Sequence, residues 1–594
     1  MNPLLAKYLH AKALLAEGKA AEALAVVQRL STKHPNDPGL ASLSAVILLR
    51  LGRFDQAEFY ARRAVALEPG QAPLLVNLAT ILVAQRKSRE AMEAARQAVE
   101  ANPGDPAANV AYANALLDTH DAPAAAEVLR AALERTQDVN VYVSYAGALL
   151  AIGKIGEVVA LLRRIIPKYP DEPNLAAALP LAMTYLYGVD PDDLAAAHRA
   201  YGSLMRRLKP AVTFPHANPR DPDRRLRVAI VSPDLRTHSV SFFIEPFFEH
   251  HDRSAFELVA YSRTRDPDHV SERLKAHAAR WVDIANLTDL QIAQRLHADK
   301  VDVAIELAGH TMGNSLPAFA LRPVPVQVTY CGYPDTTGLP EIDYRIVDSF
   351  TDPCTPEVDR RAAEHLWRLD PCFLCYRPLP DAPAPARDPA YPGPVFGSFN
   401  AARKINPGLI ALWARLLNAV PGSRLILKSF DFAAKGAIDR ISADFSANGI
   451  AHDRLTFMTA TPSLADHLAL YSRMDVALDA FPYHGTTTTC EALWMGVPVV
   501  TLAGNTHAGR VGISLLSNAG CPELIAHSED EYVRCAANLI ADPTRLAAYR
   551  TTLRSRLAAS PICDAPGFAA RFGQALRAMW GAWCTKTDAS ATKS

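Results

Sequence analysis

The residues best suited to chemistry form the segment Tyr483-His484-Gly485-Thr486-Thr487-Thr488-Thr489-Cys490-Glu491. This segment follows an apolar run of strand type, Val476–Leu478, and leads into a helical pattern at Ala492–Met495. A helix N-terminus that presents backbone N–H groups and hydroxyls can hold a diphosphate without a metal ion. Four consecutive threonines exceed what a helix cap needs, so the pattern favours a nucleotide site over a simple cap. Glu491, expected in the first helical turn, could accept hydrogen bonds from a ribose.

A lysine follows another predicted strand at a comparable place. Val395–Phe399 is the apolar run, Asn400 comes directly after it, and Lys404 follows shortly afterwards. Side chains just past the carboxyl end of a parallel strand face the crevice in which such folds bind ligands. Lys404 could therefore neutralise a departing diphosphate, whereas a lone lysine of this kind is more often a solvated loop charge.

Polar residues earlier in the chain could act on an acceptor. Asp234 and His238 lie in Ser232-Pro233-Asp234-Leu235-Arg236-Thr237-His238, again just past a predicted strand. A histidine there could orient or deprotonate a hydroxyl with Asp234 as its hydrogen-bonding partner, whereas a lone histidine is more often structural. Further groups are expected on the rim of the same cleft, beside the sugar or the acceptor: His310, Thr311, Gly332, Tyr333, Pro334, Tyr483 and His484.

Apolar runs of strand length alternate with helical patterns on both sides of a proline-rich stretch, Pro378–Pro394. Such alternation predicts parallel sheets. The sequence therefore predicts two Rossmann-like domains with a ligand-binding cleft between them. The predicted strands are Val228–Val231, Leu258–Tyr261 and Val301–Ile305 before the stretch, and Val395–Phe399, Leu425–Leu427, Leu455–Phe457, Val476–Leu478 and Pro498–Leu502 after it.

An internal repeat precedes these domains. Its period of 34 residues is typical of tetratricopeptide helix pairs, which stack into a superhelix with a concave groove. Such a groove usually holds a peptide or protein, and a purely structural spacer or dimerisation arm is the alternative. The repeat is marked by Pro35, Pro69 and Pro103, by Ala23, Ala57, Ala91 and Ala125, and by a fifth unit near Gly153 and Val158 that closes at Pro170.

The composition divides the chain into six segments. They are tetratricopeptide repeats (3–172), a helical connector and linker (173–222), an N-terminal Rossmann-like catalytic domain (223–385), a C-terminal nucleotide-binding Rossmann-like domain (386–550), C-terminal helices (551–582) and a disordered tail (583–594).

The bulk properties exclude several functional classes. With 62 basic and 62 acidic residues among 594, the chain has no electrostatic footprint for nucleic acid or an anionic membrane. Its apolar runs are far shorter than the roughly 20 residues that span a bilayer, and no signal peptide is evident. The nine cysteines all follow residue 330, which does not suit a disulfide framework, so reduced thiols and a cytoplasmic location are expected.

The motifs together resemble the O-linked N-acetylglucosamine transferase family and its SPINDLY-like branch. The resemblance covers the repeats and both cleft domains. It is carried by Val231-Ser232-Pro233-Asp234 with His238, Ala320-Leu321-Arg322-Pro323, Gly332-Tyr333-Pro334, Phe399-Asn400 with Lys404, and Gly485 through Trp494.

The resemblance implies an inverting, metal-independent glycosyltransferase of GT-B architecture. Such an enzyme would move N-acetylglucosamine from UDP-N-acetylglucosamine (UDP-GlcNAc), its donor substrate, to Ser or Thr hydroxyls, with no cofactor. By position in the motifs, the diphosphate would bind Lys404, Thr487 and Thr488, the ribose would bind Glu491, and His467 would lie at the base and phosphate. Asn400, Gly485 and Thr486 would complete the nucleotide-sugar site, and His238 and Asp234 would lie beside the sugar and the acceptor.

The sequence also departs from the animal members of that family. Ala401 and Arg403 stand where those enzymes have Gln and Tyr, Glu491 replaces an Asp, and the large domain that they insert between the two halves is missing. A SPINDLY-like protein O-fucosyltransferase that uses GDP-fucose is therefore a second hypothesis. A tetratricopeptide interaction scaffold with a vestigial transferase domain is the third.

Overall fold

The computed structural model describes residues 3–433 and 435–585. The chain forms two compact units. One contains the residues up to Tyr169 together with Asn286–Thr288 and Phe430–Arg440, and the other contains the remaining described residues.

The first unit is built from antiparallel helix pairs. The helices are α1 (Pro3–Ala16), α2 (Ala20–Lys33), α3 (Pro38–Arg50), α4 (Phe54–Leu67), α5 (Ala72–Ala84), α6 (Ser88–Ala101), α7 (Pro106–Asp118), α8 (Ala122–Leu133), α9 (Val139–Ala151) and α10 (Ile155–Ile165).

The repeating alanines occupy equivalent buried places in this array. Ala23, Ala57, Ala91 and Ala125 have no exposed surface, and each is the fourth residue of the second helix of its pair. A small side chain is needed there because close-packed helices leave no room for a larger one. Val158 takes the same place in α10 and is also buried, so the predicted fifth unit with its one-residue shift is present.

Two helices, α11 (Pro173–Met183) and α12 (Pro191–Leu208), connect the repeats to the first sheet. The carboxylate of Asp190 begins α12 by accepting the backbone N–H groups of Asp192 and Asp193. The turn between the two helices carries Tyr185, which is buried.

The first α/β domain is a seven-stranded sheet in the order β3-β2-β1-β4-β5-β6-β7, and all its described pairings are parallel. Its strands are β1 (Leu226–Ser232), β2 (Phe256–Ser262), β3 (Arg280–Asp283), β4 (Val303–Glu306), β5 (Val326–Thr329), β6 (Tyr344–Val347) and β7 (His365–Arg368). Its helices are α13 (Ser241–His250), α14 (His269–His277), α15 (Asp289–Ala298), α16 (Leu316–Phe319) and α17 (Pro356–Asp359).

The second α/β domain is a six-stranded parallel sheet in the order β10-β9-β8-β11-β12-β13. Its strands are β8 (Val395–Ser398), β9 (Arg424–Lys428), β10 (Leu455–Met458), β11 (Val476–Leu478), β12 (Val499–Leu502) and β13 (Ile525–Ala526). Its helices are α18 (Pro407–Ala419), α19 (Lys435–Ala447), α20 (Leu464–Ala469), α21 (Thr487–Trp494), α22 (Val511–Asn518), α23 (Glu529–Ala541) and α24 (Pro543–Ala558).

Every predicted strand is present, but the sequence analysis missed β3, β5, β6, β7 and β13. These strands have two to four residues, and β3, β6 and β7 contain charged side chains that hide the apolar pattern. Short strands of this kind form because neighbouring strands supply their hydrogen bonds. The hydrophobic pattern along the sequence carries no information about those neighbours.

The last helix, α25 (Ala565–Thr585), returns to the first α/β domain, where the ring centroids of Phe572 and Phe247 lie 4.7 Å apart. Residues 583–585, predicted as part of the tail, belong to this helix. The rest of the predicted tail, residues 586–594, lies outside the described residues. Among those described, no helix combines the length and apolar character needed to cross a membrane.

Each sheet reverses its strand order once, between β1 and β4 and between β8 and β11. In doubly wound sheets, ligands bind outside the carboxyl ends of the strands at such reversals. Asp234 and His238 lie in the loop after β1, Glu306 ends β4, Lys404 lies in the loop after β8, and Gly485 with the threonines follows β11. Topology thus brings together most of the residues that the sequence analysis singled out.

Candidate active site

Lys404 lies at the reversal point of the second sheet, in a short turn after β8. Its Nζ donates a hydrogen bond of 2.7 Å to the carbonyl oxygen of His484 and lies 3.4 Å from Oδ1 of Asn400. The same ammonium is 4.3 Å from the centroid of the Tyr483 ring. Burial lowers the pKa of Lys404 to about 7, and the carboxylate of Asp479 opposes this shift. An incoming diphosphate would restore the charge, because a nearby anion favours the ammonium form.

The N-terminus of α21 opens beside this lysine. Thr486 is the N-cap residue, and in the described structure its side chain makes no capping hydrogen bond. The N–H groups of Thr487, Thr488 and Thr489 have no acceptor within the helix because they belong to its first turn. The hydroxyl of Thr487 is buried and has no hydrogen-bond partner among the described residues.

The hydroxyls of the two neighbouring threonines are engaged within the site. Thr488 Oγ1 lies 3.4 Å from Oδ1 of Asn400, and Thr489 donates to the carbonyl of Gly485 at 3.2 Å. Unused backbone donors, an unpartnered hydroxyl and Lys404 therefore converge at one place. A helix cap would satisfy one or two of these donors from its own side chain, whereas here they stay available to an anion together with the ammonium.

Glu491 lies deeper than the sequence analysis predicted. Because α21 begins at Thr487, Glu491 is in the second turn and not the first, and it is 4% exposed. Its Oε2 is 3.0 Å from His467 Nε2 and 3.2 Å from the hydroxyl of Tyr471. Glu491 and His467 thus form one polar pair, so the structure joins two residues that the sequence analysis treated separately.

His238 and Asp234 lie on the loop after β1 and are close to each other. Nε2 of His238 is 3.8 Å from Oδ1 of Asp234, which is longer than the predicted hydrogen bond. Nδ1 of His238 accepts the backbone N–H of Val240 at 3.3 Å. This bond assigns the proton of the neutral ring to Nε2, so the ring is a donor at that atom.

The charges around His238 come from both α/β domains. Partial desolvation among the neighbouring loops lowers the pKa of His238; Asp234 raises it, whereas Arg236 and Arg403 lower it further. Burial raises the pKa of Asp234, and His238 opposes that shift. Arg403 directly precedes Lys404, so the loop after β8 lies close enough to the loop after β1 to act on the charge of His238.

Three of the predicted rim residues are in fact buried in the first α/β domain. His310 is 4% exposed and its Nε2 lies 2.9 Å from the carbonyl oxygen of Thr337. Its ring packs on Tyr333 and on Tyr201 of α12, at centroid distances of 5.0 and 4.6 Å. Tyr333 and Pro334 are buried as well, because α12 covers the loop after β5.

Two further rim residues stay near the surface. Thr311 is partly exposed, and its hydroxyl donates to the carbonyl of Ala308 at 2.7 Å. Gly332 is also partly exposed and packs against the backbone of Leu307, where a Cβ atom would lie 1.6 Å from the carbonyl oxygen.

Tyr483 and His484 are adjacent in sequence but face different surroundings. The Tyr483 ring stacks on Tyr185, with a centroid distance of 4.7 Å and an angle of 13° between planes. The His484 side chain is buried, and its Nε2 lies 2.8 Å from the carbonyl oxygen of Leu502 in β12. His484 therefore reaches the cleft through its carbonyl and not through its ring.

The sequence analysis missed four residues of the site. Tyr185 was not placed in the cleft because it belongs to the connector, and Asp479, Glu306 and Lys428 each end or follow a strand. Burial raises the pKa of Glu306 to about 7, and its Oε2 accepts the backbone N–H groups of Ala308 and Gly309. A charged residue at the carboxyl end of an apolar run was the available signal for these last three.

No group of three or more His, Cys, Asp or Glu side chains suited to a metal ion occurs within residues 3–433 and 435–585. Asp266-Pro267-Asp268 is the segment closest in pattern to a metal-binding DxD motif, and the carboxylate of Asp268 caps α14 by accepting the N–H groups of Val270 and Ser271. That transfer needs no metal ion or cofactor remains a prediction.

Comparisons with known proteins agree with this architecture. The profile described as Glycosyl transferase family 41 matches residues 195–374 and 391–572. Two tetratricopeptide repeat profiles match residues 14–78 and 76–140. A solved structure, that of a mutant O-GlcNAc transferase from Thermobaculum terrenum, is 32% identical and covers 98% of both chains with a TM-score of 0.65. The predicted repeat array followed by a GT-B pair of Rossmann-like domains is therefore confirmed.

Relatives from plants match part of the chain. A protein of Arabidopsis thaliana named probable UDP-N-acetylglucosamine–peptide N-acetylglucosaminyltransferase SPINDLY is 42% identical over 423 residues, which make up 70% of this chain and 46% of the relative. The corresponding protein SEC of the same plant is 29% identical over 374 residues, or 61% and 38% of the two chains. The chain thus spans about half the length of the curated relatives or less.

Proposed function

Because the chain belongs to glycosyl transferase family 41, we propose that it transfers N-acetylglucosamine from UDP-GlcNAc to Ser or Thr hydroxyls of a polypeptide. The observation that carries the proposal is the convergence of Lys404 with the uncapped N-terminus of α21. The names of the relatives supply the sugar, the nucleotide and the acceptor class. The repeats would recruit the polypeptide, as stacked helix pairs commonly do.

The donor would bind to the second α/β domain. Its diphosphate would accept hydrogen bonds from Lys404 and from the first-turn N–H groups of α21, with the Thr487 hydroxyl as a further donor. Glu491 and His467 would hold the ribose and base. Stabilising charge on the departing diphosphate would be the main catalytic contribution, because fixed donors in a site that excludes water need no reorganisation.

The acceptor would bind against the loop after β1. Its hydroxyl oxygen would attack the anomeric carbon on the face opposite the nucleotide, so that one C–O bond forms while the bond to the phosphate oxygen breaks. Inversion at that carbon follows from this single displacement. The nucleoside diphosphate leaves with the electron pair of the broken bond.

The tautomer of His238 determines which residue orients the acceptor hydroxyl and which one takes its proton. Because Nε2 of the neutral ring bears the proton, His238 would orient the hydroxyl as a hydrogen-bond donor. The carboxylate of Asp234, which has only acceptor atoms when ionised, would take the hydroxyl proton. In this proposal, Asp234 and not His238 therefore removes the proton from the acceptor hydroxyl.

Thermal stabilisation of the full chain by UDP, UDP-GlcNAc, GDP and GDP-fucose tests the proposal, with Lys404→Ala measured in parallel. Selective stabilisation by the two uridine compounds, lost in the variant, is the expected result. A preference for the guanosine compounds would replace the donor by GDP-fucose. If no nucleotide raised the melting temperature, the interaction-scaffold hypothesis would replace the transferase.

The acceptor class needs a second measurement. The full chain is incubated with radiolabelled UDP-GlcNAc and one of two peptide libraries, a degenerate library that contains Ser and Thr or the same library with Ala at those positions. Only the library that contains Ser and Thr should become labelled. Residence in the cytoplasm remains a prediction, supported only by the cysteine pattern.

A further inference from the structure

A buried carboxylate lies underneath the proposed diphosphate site. Asp479 directly follows β11, is 3% exposed and has hydrogen bonds to both carboxylate oxygens. Oδ1 accepts the backbone N–H groups of Gly485 at 2.6 Å and of Ala480 at 2.9 Å. Oδ2 accepts the hydroxyl of Thr501 in β12 at 2.8 Å. One side chain therefore ties the end of β11, the threonine-bearing loop and the neighbouring strand together.

The bond to Gly485 controls where α21 begins. Gly485 immediately precedes the N-cap residue Thr486, and its surroundings are tight. A Cβ atom on Gly485 would lie 2.4 Å from Oγ1 of Thr488 and 3.2 Å from Oδ1 of Asp479. With Gly485 fixed between these groups, the first-turn N–H groups of α21 keep one direction.

The same loop also fixes Lys404. Its Nζ donates to the carbonyl of His484, the residue before Gly485. Asp479 in addition raises the pKa of Lys404 against the lowering effect of burial. A carboxylate this near a diphosphate site carries a repulsive cost. The favourable effects on the loop and on Lys404 supply a physical reason for its presence.

We propose that Asp479 is a positioning residue of the donor site, which holds Gly485 and thereby aims the α21 N-terminus and Lys404 at the diphosphate. The inference rests on the proposed function for the identity of the nucleotide, but the diphosphate part of the argument does not depend on which base is attached.

Two substitutions separate the geometric effect of Asp479 from its charge. Asp479→Asn keeps an oxygen that accepts the Gly485 N–H but removes the negative charge, whereas Asp479→Ala removes both. We expect Asp479→Ala to weaken UDP binding to the full chain by at least about tenfold at every pH, since a shift of 1.4 kcal/mol corresponds to tenfold. Isothermal titration of UDP between pH 6 and 8 measures both variants.

The asparagine variant should alter the pH dependence. The charging of Lys404 costs least at pH 6, so the UDP affinity of Asp479→Asn should come closest to that of the wild type there, helped by the loss of a repulsive charge. Above pH 7, the lowered pKa of Lys404 in the variant makes charging harder. The UDP dissociation constant of Asp479→Asn divided by that of the wild type should therefore rise above pH 7, by up to about tenfold for each unit by which the pKa of Lys404 falls.

The controls remove other sources of pH dependence. Titration of UDP itself is common to all variants and cancels in the ratio. The other titratable group against this carboxylate is His484, whose Nδ1 lies 3.8 Å from Oδ2 of Asp479. In a Lys404→Met background, any pH dependence that Asp479→Asn still shows is assigned to His484 and subtracted. Asp475→Asn is the matched control, because Asp475 precedes the same strand but pairs with Arg387 at 2.6 Å, outside the threonine-bearing loop.

Inorganic pyrophosphate is the second probe. If UDP does not bind the wild type but pyrophosphate shows the expected ratios, the uridine donor is wrong and the role of Asp479 stands. If the ratio of UDP dissociation constants, Asp479→Asn over wild type, stayed constant from pH 6 to 8 in the protein that retains Lys404, the link between Asp479 and Lys404 would be overturned. UDP affinity of Asp479→Ala equal to that of the wild type would overturn the positioning role. Failure of both UDP and pyrophosphate to bind the wild type would overturn it as well.

Discussion

The two strand reversals present opposite chemistry to the same cleft. After β8 and β11 the chain supplies Lys404, backbone N–H groups and a free hydroxyl, all of which favour negative charge. After β1 and at the end of β4 it supplies Asp234, His238 and Glu306, which are acceptors or titrating groups. Two domains with the same topology therefore hold different partners: one suits a departing anion and the other a hydroxyl that loses its proton. Short loops after the strands, and not the sheets, decide this.

The strongest test of this contrast removes the cation. Lys404→Ala should lower transfer by a factor on the order of 10² to 10³, because one donor to the departing charge is lost. The melting temperature should change little, because loss of the hydrogen bond to His484 and of the contact with Tyr483 is offset by removal of a desolvated ammonium. Lys275→Ala is the matched control and should be as active as the wild type, because Lys275 is a partly exposed lysine of α14 paired with Glu272. If Lys404→Ala transferred sugar at the rate of the wild type, the second α/β domain could not stabilise the departing diphosphate through Lys404.

On the acceptor side, Asp234→Asn should lower kcat by about 10², the low end of the range for general acid–base catalysis. His238→Ala should have a smaller effect, because His238 orients the hydroxyl and does not take its proton. Steady-state kinetics with saturating donor would show this order. A larger loss in His238→Ala than in Asp234→Asn would reverse the roles.

His310→Ala tests the contrast between an open and a buried histidine. His310 packs among aromatic rings, so its removal should cost about 2–4 kcal/mol of unfolding free energy, as large-to-small core changes do. Chemical denaturation measures this cost. His238→Ala, from an exposed side chain, should leave stability nearly unchanged.

Donor binding should weaken as the pH rises above 7. The pKa of Lys404 in the folded protein is about 7, below its ordinary value of 10.5, so a bound diphosphate must first recharge it. UDP affinity should fall by up to about tenfold per pH unit, and Lys404→Met should lose this dependence. The unfolded chain binds the extra proton between pH 7 and 10.5, so Lys404 contributes a rise of stability with pH across that window.

The smallest expected effects separate two hydroxyls in the first turn of α21, those of Thr487 and Thr489. Thr487→Val should weaken donor binding about 3- to 10-fold without loss of stability, because its hydroxyl has no partner in the described structure. Thr489→Val should instead cost about 1 kcal/mol of stability, since its hydroxyl donates to the Gly485 carbonyl inside the loop. Equal donor affinities for Thr487→Val and the wild type would place the diphosphate elsewhere.

The repeat array was predictable because its rules are local. A period of 34 residues, a small residue at Ala23 and its equivalents, and a turn between helices recur along the sequence without reference to distant segments. Each helix pair packs mainly on its neighbours, so local spacing reports tertiary packing. The strand-then-loop pattern that located Lys404 and the threonines is local in the same way.

By itself, then, the sequence determined the repeats, the two parallel sheets and the loops that carry the chemistry. Tertiary structure decided which side chains of those loops reach the cleft. His310 and His484 are polar and lie in the expected loops, but α12 and β12 bury them, while Tyr185 of the connector packs on Tyr483. Asp479 gained its role from Gly485 and Thr501, partners that only the folded chain brings to it. Burial and hydrogen bonding between distant segments depend on packing in three dimensions, and spacing along one strand or helix does not encode them.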